Sequence, residues 1–190
     1  MIGKKNIVFG FLYLAFCAAL GPVMIINHFP DVGTAEASKQ KAVGILQQVA
    51  QDGFEMDLEP MTADNIARTN TQAILAISAR LNAQVPIDAI KGGPHAHGNL
   101  EALLNIAVGL LLCFLAIHRN LKQLISWVFI VGTVMHSGLL YLSVALEFPW
   151  AVSLMAGPVA YIGPVLILTG LVLAGLAAAV GFRGMVENDF

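Results

Sequence analysis

From residue 161 to 182 the chain reads YIGPVLILTGLVLAGLAAAVGF, without one charged side chain. A run of that length and polarity matches the ~20 apolar residues needed to cross a hydrocarbon core. Three further windows, 7–26, 100–117 and 124–146, reach or approach the same length. Lipid offers no partner to a free backbone amide or carbonyl, and the windows are too long for barrel strands, so helices are the expected spanning form. Composition agrees: 12% of the 190 residues are charged, against roughly 25% in an ordinary soluble domain. The mean hydropathy is +0.76. The expected fold class is all-α, an integral membrane four-helix bundle with an external helical insert between spans one and two. A net charge of −2 gives no basic surface for nucleic acid, and the lipid bilayer is the first expected partner.

Three segments follow, with residues 1–27 holding the first transmembrane helix, 28–94 the external insert, and 95–190 three further spans that share one membrane domain with 1–27. Cys17 and Cys113 fall inside expected spans, where an oxidising compartment does not reach, so they read as core fillers and not as a disulfide. Lys4 and Lys5 precede an apolar run longer than the core of a secretory signal, which favours an uncleaved anchor. Arg119 and Lys122 lie between spans two and three, and Arg183 follows span four. With four spans all these cations share one side, expected to be cytoplasmic. The expected location is the inner (cytoplasmic) membrane, with both termini cytoplasmic.

The insert carries two helical patterns. One runs over 36–51 and stops at Asp52-Gly53; the other runs over 63–84 behind a Thr62 cap, with Ile66, Ala73, Ile74, Ile77 and Leu81 on one face. Each has a face to bury, against the bundle or a neighbouring subunit. Gly92, Gly93 and Pro94 then break the pattern and set where span two begins.

Span two opens with PHAHGNLEALLN. Helical positions four apart share a face, so His97, Glu101 and Asn105 form one polar stripe. Glu101 is the sole charged-type residue within the four windows, and intramembrane ionisable groups face a bundle interior or a cavity and mark function. The short turn HRNLK makes spans two and three antiparallel neighbours, which brings His136, Ser137 and Tyr141 opposite the stripe. Imidazole is a common ligand of haem iron, zinc and copper, and Gly109, Gly132, Gly138, Gly163 and Gly170 offer close approach. Bland readings stand beside these: His95 as a cap or interface residue, His97 and His136 as hydrogen-bonded histidines, and Glu101 as interhelical glue with His136 or Asn105.

With AHGNLEALLN at 96–105 and LLYLS at 139–143, the chain resembles the small four-helix membrane haem proteins typified by styrene oxide isomerase, and secondarily hydroxylaminobenzene mutase. HAHGNL is also similar to the opening of short relatives of haem-copper oxidase subunit I. The first resemblance covers all four spans but not the insert. It implies a b-type haem held at a homotrimer interface, with His97 as axial ligand and metal-binding residue and Asn105 and Tyr141 as catalytic residues on the open face; beside these, the polar stripe itself offers Glu101 as a further catalytic candidate, and His95 and His136, the latter outside that family's pattern, as further candidates for holding the cofactor. The implied activity is a redox-neutral isomerisation of a small lipophilic epoxide, with ferric haem as Lewis acid. His97 and Asn105 are eight apart, two more than in that family, which turns a side chain by about 200° on a helix. Two alternatives remain: a haem or copper redox module with His97 and His136 both as ligands, and a non-enzymatic membrane assembly subunit.

Overall fold

In the computed structural model, residues 1–56 and 59–183 are described. The elements are α1 (Gly3–Ala18), α2 (Leu20–Gln51), β1 (Glu55–Met56), β2 (Glu59–Pro60), α3 (Ala63–Ile90), α4 (Ala96–Cys113), α5 (Arg119–Thr133), α6 (Pro149–Met155) and α7 (Ile162–Gly181). Past Thr133, α5 continues through two π-helical turns, Val134–Gly138 and Tyr141–Ala145. Four helical runs are long and apolar enough to cross a membrane: Gly3–Gln51, Ala63–Cys113, Arg119–Ala145 and Pro158–Gly181. The all-α membrane fold expected from hydropathy is therefore present. Its spans are shifted: the second stops at Cys113, short of residue 117, and the third begins at Arg119, where the His118 ring accepts from the Asn120 amide.

The chain divides into two compact units, Pro22–Asp88 and the remainder. In the remainder, α1 runs antiparallel to α4 along a seam of small residues. A Cβ on Gly3 would lie 2.0 Å from the Gly109 carbonyl oxygen, one on Gly10 2.7 Å from that of Ala102, and one on Gly98 2.4 Å from Cys17 Sγ. Without an apolar driving force between helices in lipid, close backbone approach of this kind is what holds them together. α5 and α7 meet the same way, with Gly170 under Phe129, Gly132 against Ile167, and Gly163 against the backbone of His136. One end of the unit is filled by Val108, Leu112, Leu115, Ile125, Phe129, Ile167, Ala174 and Ala177. That end is closed by backbone bonds from Ala116 to Gly181 and from Arg183 to Phe114.

The outer surface is apolar, as lipid requires: Val180 is 85% exposed, and Leu100, Leu168, Val172 and Leu176 all lie outward. Lys5 reaches Gln123 at 2.5 Å and stands 4.2 Å from the centre of the Trp127 ring, which puts the start of α1 beside the first turns of α5. Lys4, Lys5, Arg119 and Lys122 therefore gather at one end of the bundle, with Lys91 before α4 at the other.

In the other unit, the Pro22–Asp88 segment, α2 starts earlier than the sequence pattern suggests. Helix extends through Pro30 instead of beginning near Glu36, since proline costs a hydrogen bond but a long flanking helix tolerates it. It ends at the expected place, with Gly53 and Phe54 both at positive φ. The two-residue strands then pair antiparallel. Thr62 caps α3 as expected, accepting from the Asn65 amide at 3.2 Å. Arg80 on α3 reaches Glu36 on α2 at 2.8 Å, and Lys39 reaches it at 2.6 Å.

Two outcomes follow. Gly10→Val is expected to destabilise the protein by ~1–3 kcal/mol through overpacking, whereas Gly175→Ala, with nothing within 4 Å of the added carbon, is expected to be neutral; thermal unfolding in one detergent compares them. Hydrogen bonds from Lys39 foremost, with Gln40 and Arg80, hold the Glu36 carboxyl below its ordinary 4.5. A lowered folded value gives stability that is present above 4.5 and lost as pH falls through the lowered value. Amide exchange along α2 and α3 should thus quicken below that pH, and Glu36→Gln should remove the effect.

Candidate functional site

The approach to α4 is set by backbone. At Gly93 φ is −92° and ψ is −106°, outside helical values, and the buried Pro94 follows. Helix restarts at Ala96, so His97, Glu101 and Asn105 descend one face of α4. His95 lies before that start, with Nδ1 3.2 Å from the carbonyl oxygen of Cys17. It ties α4 to α1 and takes the cap-like place that was one of its two expected readings. It is not among the clustered donors described next.

Glu101 is 3% exposed, and the third span supplies its partners. His136 Nδ1 lies 2.5 Å from Oε1, and Ser137 Oγ donates to Oε2 at 2.6 Å. Neighbouring residues on a regular helix point about 100° apart. Here the pair falls inside the π-helical turn Val134–Gly138, a feature that widens the helix and re-aims side chains at functional sites, and the two bracket one carboxylate. Gly163 permits this by fitting against the His136 backbone, where its Cβ would come within 2.5 Å of the amide nitrogen.

His97 completes the group. Its ring meets that of His136 edge-on, 4.8 Å between centroids, and one donor atom from each of His97, Glu101 and His136 lies within 4.8 Å of the others. Two imidazoles and a carboxylate form a donor set suited to zinc or to non-haem iron.

Below the cluster the polar seam continues. Asn105 donates to Thr133 Oγ1 at 2.8 Å and to the Glu101 carbonyl at 3.0 Å, and accepts from Asn6 Nδ2 at 3.0 Å. Asn6 also donates to the Ser126 carbonyl at 3.1 Å, and the Ser126 hydroxyl donates to Asn6 Oδ1. Asn6, Asn105, Ser126 and Thr133 are fully buried. Above, Tyr13 OH is 2.9 Å from Ser137 Oγ. Asn6, Tyr13 and Ser126 were missed by the sequence reading, which treated span one as a plain anchor. The available signal was Asn6, Gly10, Tyr13 and Cys17 at helical spacing, a polar and small-residue face on an otherwise apolar helix.

Two expected roles need correction. Asn105 does not line an open face, because its amide hydrogens and its oxygen are engaged between α1, α4 and α5. Tyr141 does not line one either: it is buried and stacks on Phe16 at 4.2 Å, at the end of a ring series that includes Phe9 and Tyr13. A bis-histidine haem also fails to fit. Trans imidazoles on one iron stand off opposite faces of a porphyrin, whereas His97 and His136 touch each other. A single bond from iron to His97 remains sterically open, since that ring is only partly covered. No family model matches this chain, and no characterised protein or solved structure matches it.

Asn105→Leu is expected to remove the partner of Thr133 Oγ1 and one of the two acceptors of Asn6 Nδ2, which keeps its bond to the Ser126 carbonyl, at ~1–3 kcal/mol for each group left unpaired. Adding Asn6→Leu should cost less than its effect alone, as expected for coupled neighbours; unfolding in detergent across the four-member cycle measures this.

Proposed function

We propose that this chain is a multi-pass protein of the inner membrane, its basic end cytoplasmic, that binds one transition metal ion at the His97, Glu101 and His136 cluster. The observation that carries the proposal is the convergence of three ligand-type side chains, from two helices, within 4.8 Å of one another, with Glu101 buried and the two imidazoles reaching the bundle surface. Isolated, each is expensive at membrane depth. Gathered, they form a site that a divalent ion completes.

In this reading His97 and His136 supply imidazole nitrogens, and Glu101 is the carboxylate held against His136. A carboxylate on the far nitrogen of a ligating histidine fixes the ring and raises its basicity. His97 opens to the bundle surface, so a metal held here would be within reach of a small lipophilic ligand arriving from the bilayer.

A second reading has one observation in its favour. The partial exposure of His97 at the bundle surface is compatible with a b-type haem lying outside the helices, enclosed by further copies in a homotrimer. Such a haem would supply Lewis-acid iron for a redox-neutral rearrangement of a lipophilic epoxide. Glu101, through His136, would then be the nearest proton-holding group to the ligating ring.

Metal analysis of detergent-purified protein, paired with a pyridine haemochrome spectrum, tests both. About one ion per chain without pigment supports the first reading. One haem per chain, lost in His97→Ala but kept in His136→Ala, supports the second. His97→Ala and His136→Ala should each weaken loading by more than tenfold in the first case, on the order seen when ligands or their partners are removed. A wild-type protein that holds neither metal nor pigment, as isolated or after incubation with zinc or ferrous iron, overturns both.

A further inference from the structure

The two helices of the insert, α2 and α3, are joined by a row of polar side chains. Lys39 Nζ and Gln40 Nε2 meet Glu36 Oε1 at 2.6 and 3.2 Å, and Arg80 Nε donates to Glu36 Oε2 at 2.8 Å. Arg80 Nη1 donates to the side-chain oxygen of Gln84 at 3.1 Å, and the Gln84 amide donates to Asp88 at 3.0 Å, which keeps that oxygen turned to the guanidinium. Glu36, Lys39, Ile77, Arg80, Leu81 and Gln84 line a cleft of about 380 Å³, at the lower end of the roughly 300–1,000 Å³ found for small-molecule sites.

These bonds leave donors over. A guanidinium has five N–H groups and an ammonium three. Among the described residues, two of those on Arg80 and one of those on Lys39 are engaged. Each terminal nitrogen of Arg80 therefore keeps at least one N–H for a further acceptor. Two cations against one carboxylate also give the lining a surplus positive charge. An ion pair that only tied α2 to α3 would need neither the second cation nor the spare donors. Beside them stand Ile77 and Leu81, 41% and 63% exposed, an apolar wall with no cover.

We propose that this cleft binds a small organic monocarboxylate with an apolar tail: Arg80 and Lys39 hold the carboxylate, and the tail lies on Ile77 and Leu81. A carboxylate matches both the surplus charge and the planar fork of a guanidinium, whose charge-assisted bonds are short and directional. Inorganic phosphate has the charge but nothing to cover the wall, and a neutral apolar molecule leaves the donors unused. The cleft lies wholly within the Pro22–Asp88 unit. It is a site separate from His97, Glu101 and His136, and it does not depend on the metal reading.

Titration calorimetry of the full chain in detergent, with hexanoate and with phenylacetate as probes, tests this. At least one probe should bind saturably, about one per chain, and at least tenfold more tightly than acetate, hexanamide or inorganic phosphate. Arg80→Gln should weaken that binding tenfold or more, the order expected when a charge-assisted contact is lost. Since the same change takes a partner from Glu36, a second variant, Leu81→Ser at an exposed position, separates binding from folding: it should weaken the probe severalfold and leave the unfolding temperature as in wild type. Saturable binding of neither probe overturns the proposal. Equal binding of phosphate also overturns it, by marking a site of charge alone, as does an affinity that survives both substitutions, which puts the probe in the micelle or elsewhere on the chain.

Discussion

A carboxyl group at membrane depth must find partners inside the protein, because the hydrocarbon around it offers none. Glu101 answers to that constraint, and much of the bundle can be derived from it. Its two oxygens are taken by two adjacent residues of the third span, which requires a widened turn there. A widened turn brings backbone outward, and Gly163 on the fourth span is the residue small enough to receive it. The first span closes the remaining side, where Tyr13 supports Ser137 and Gly10 and Cys17 let α1 lie close to α4. Replacing any one of these small residues with a large one would hold the helices apart and uncover the polar seam they enclose.

The seam has two parts that differ in chemistry. Towards Lys5 and Lys122, Asn6, Asn105, Thr133 and Ser126 satisfy one another through neutral amide and hydroxyl bonds. Such a network fixes helix register well and carries little reactivity. Towards the kink at Gly93, imidazoles replace amides, and the groups present are those that bind ions and hold protons. The arrangement is that of a rigid lower seam positioning a reactive upper one, which explains why Asn105, a candidate catalytic residue in the sequence, serves here as structural support.

Hydropathy and four-residue spacing were enough to read the membrane spans, the antiparallel pairing of the second and third, the Thr62 cap, the break before α4 and the stripe of His97, Glu101 and Asn105. These are local properties, set by side-chain polarity and helical period. The joint use of His136 and Ser137 was not legible, because a π-helical turn has no composition of its own and arises from what packs around it. Nor was the part played by the first span, since Asn6 and Tyr13 are single polar residues whose meaning depends on which helix lies opposite. The helix through Pro30 was hidden for a related reason: a proline reads as a boundary until the flanking turns outweigh it.

The widened turn at Val134–Gly138 has one more implication. It holds one residue beyond what a regular helix would need over the same rise. Dropping a residue there would restore ordinary geometry and leave the rest of the span facing as before, while ending the joint grip of His136 and Ser137 on Glu101. A shortening of this segment would therefore spare the packing of the bundle and cost it the cluster around Glu101.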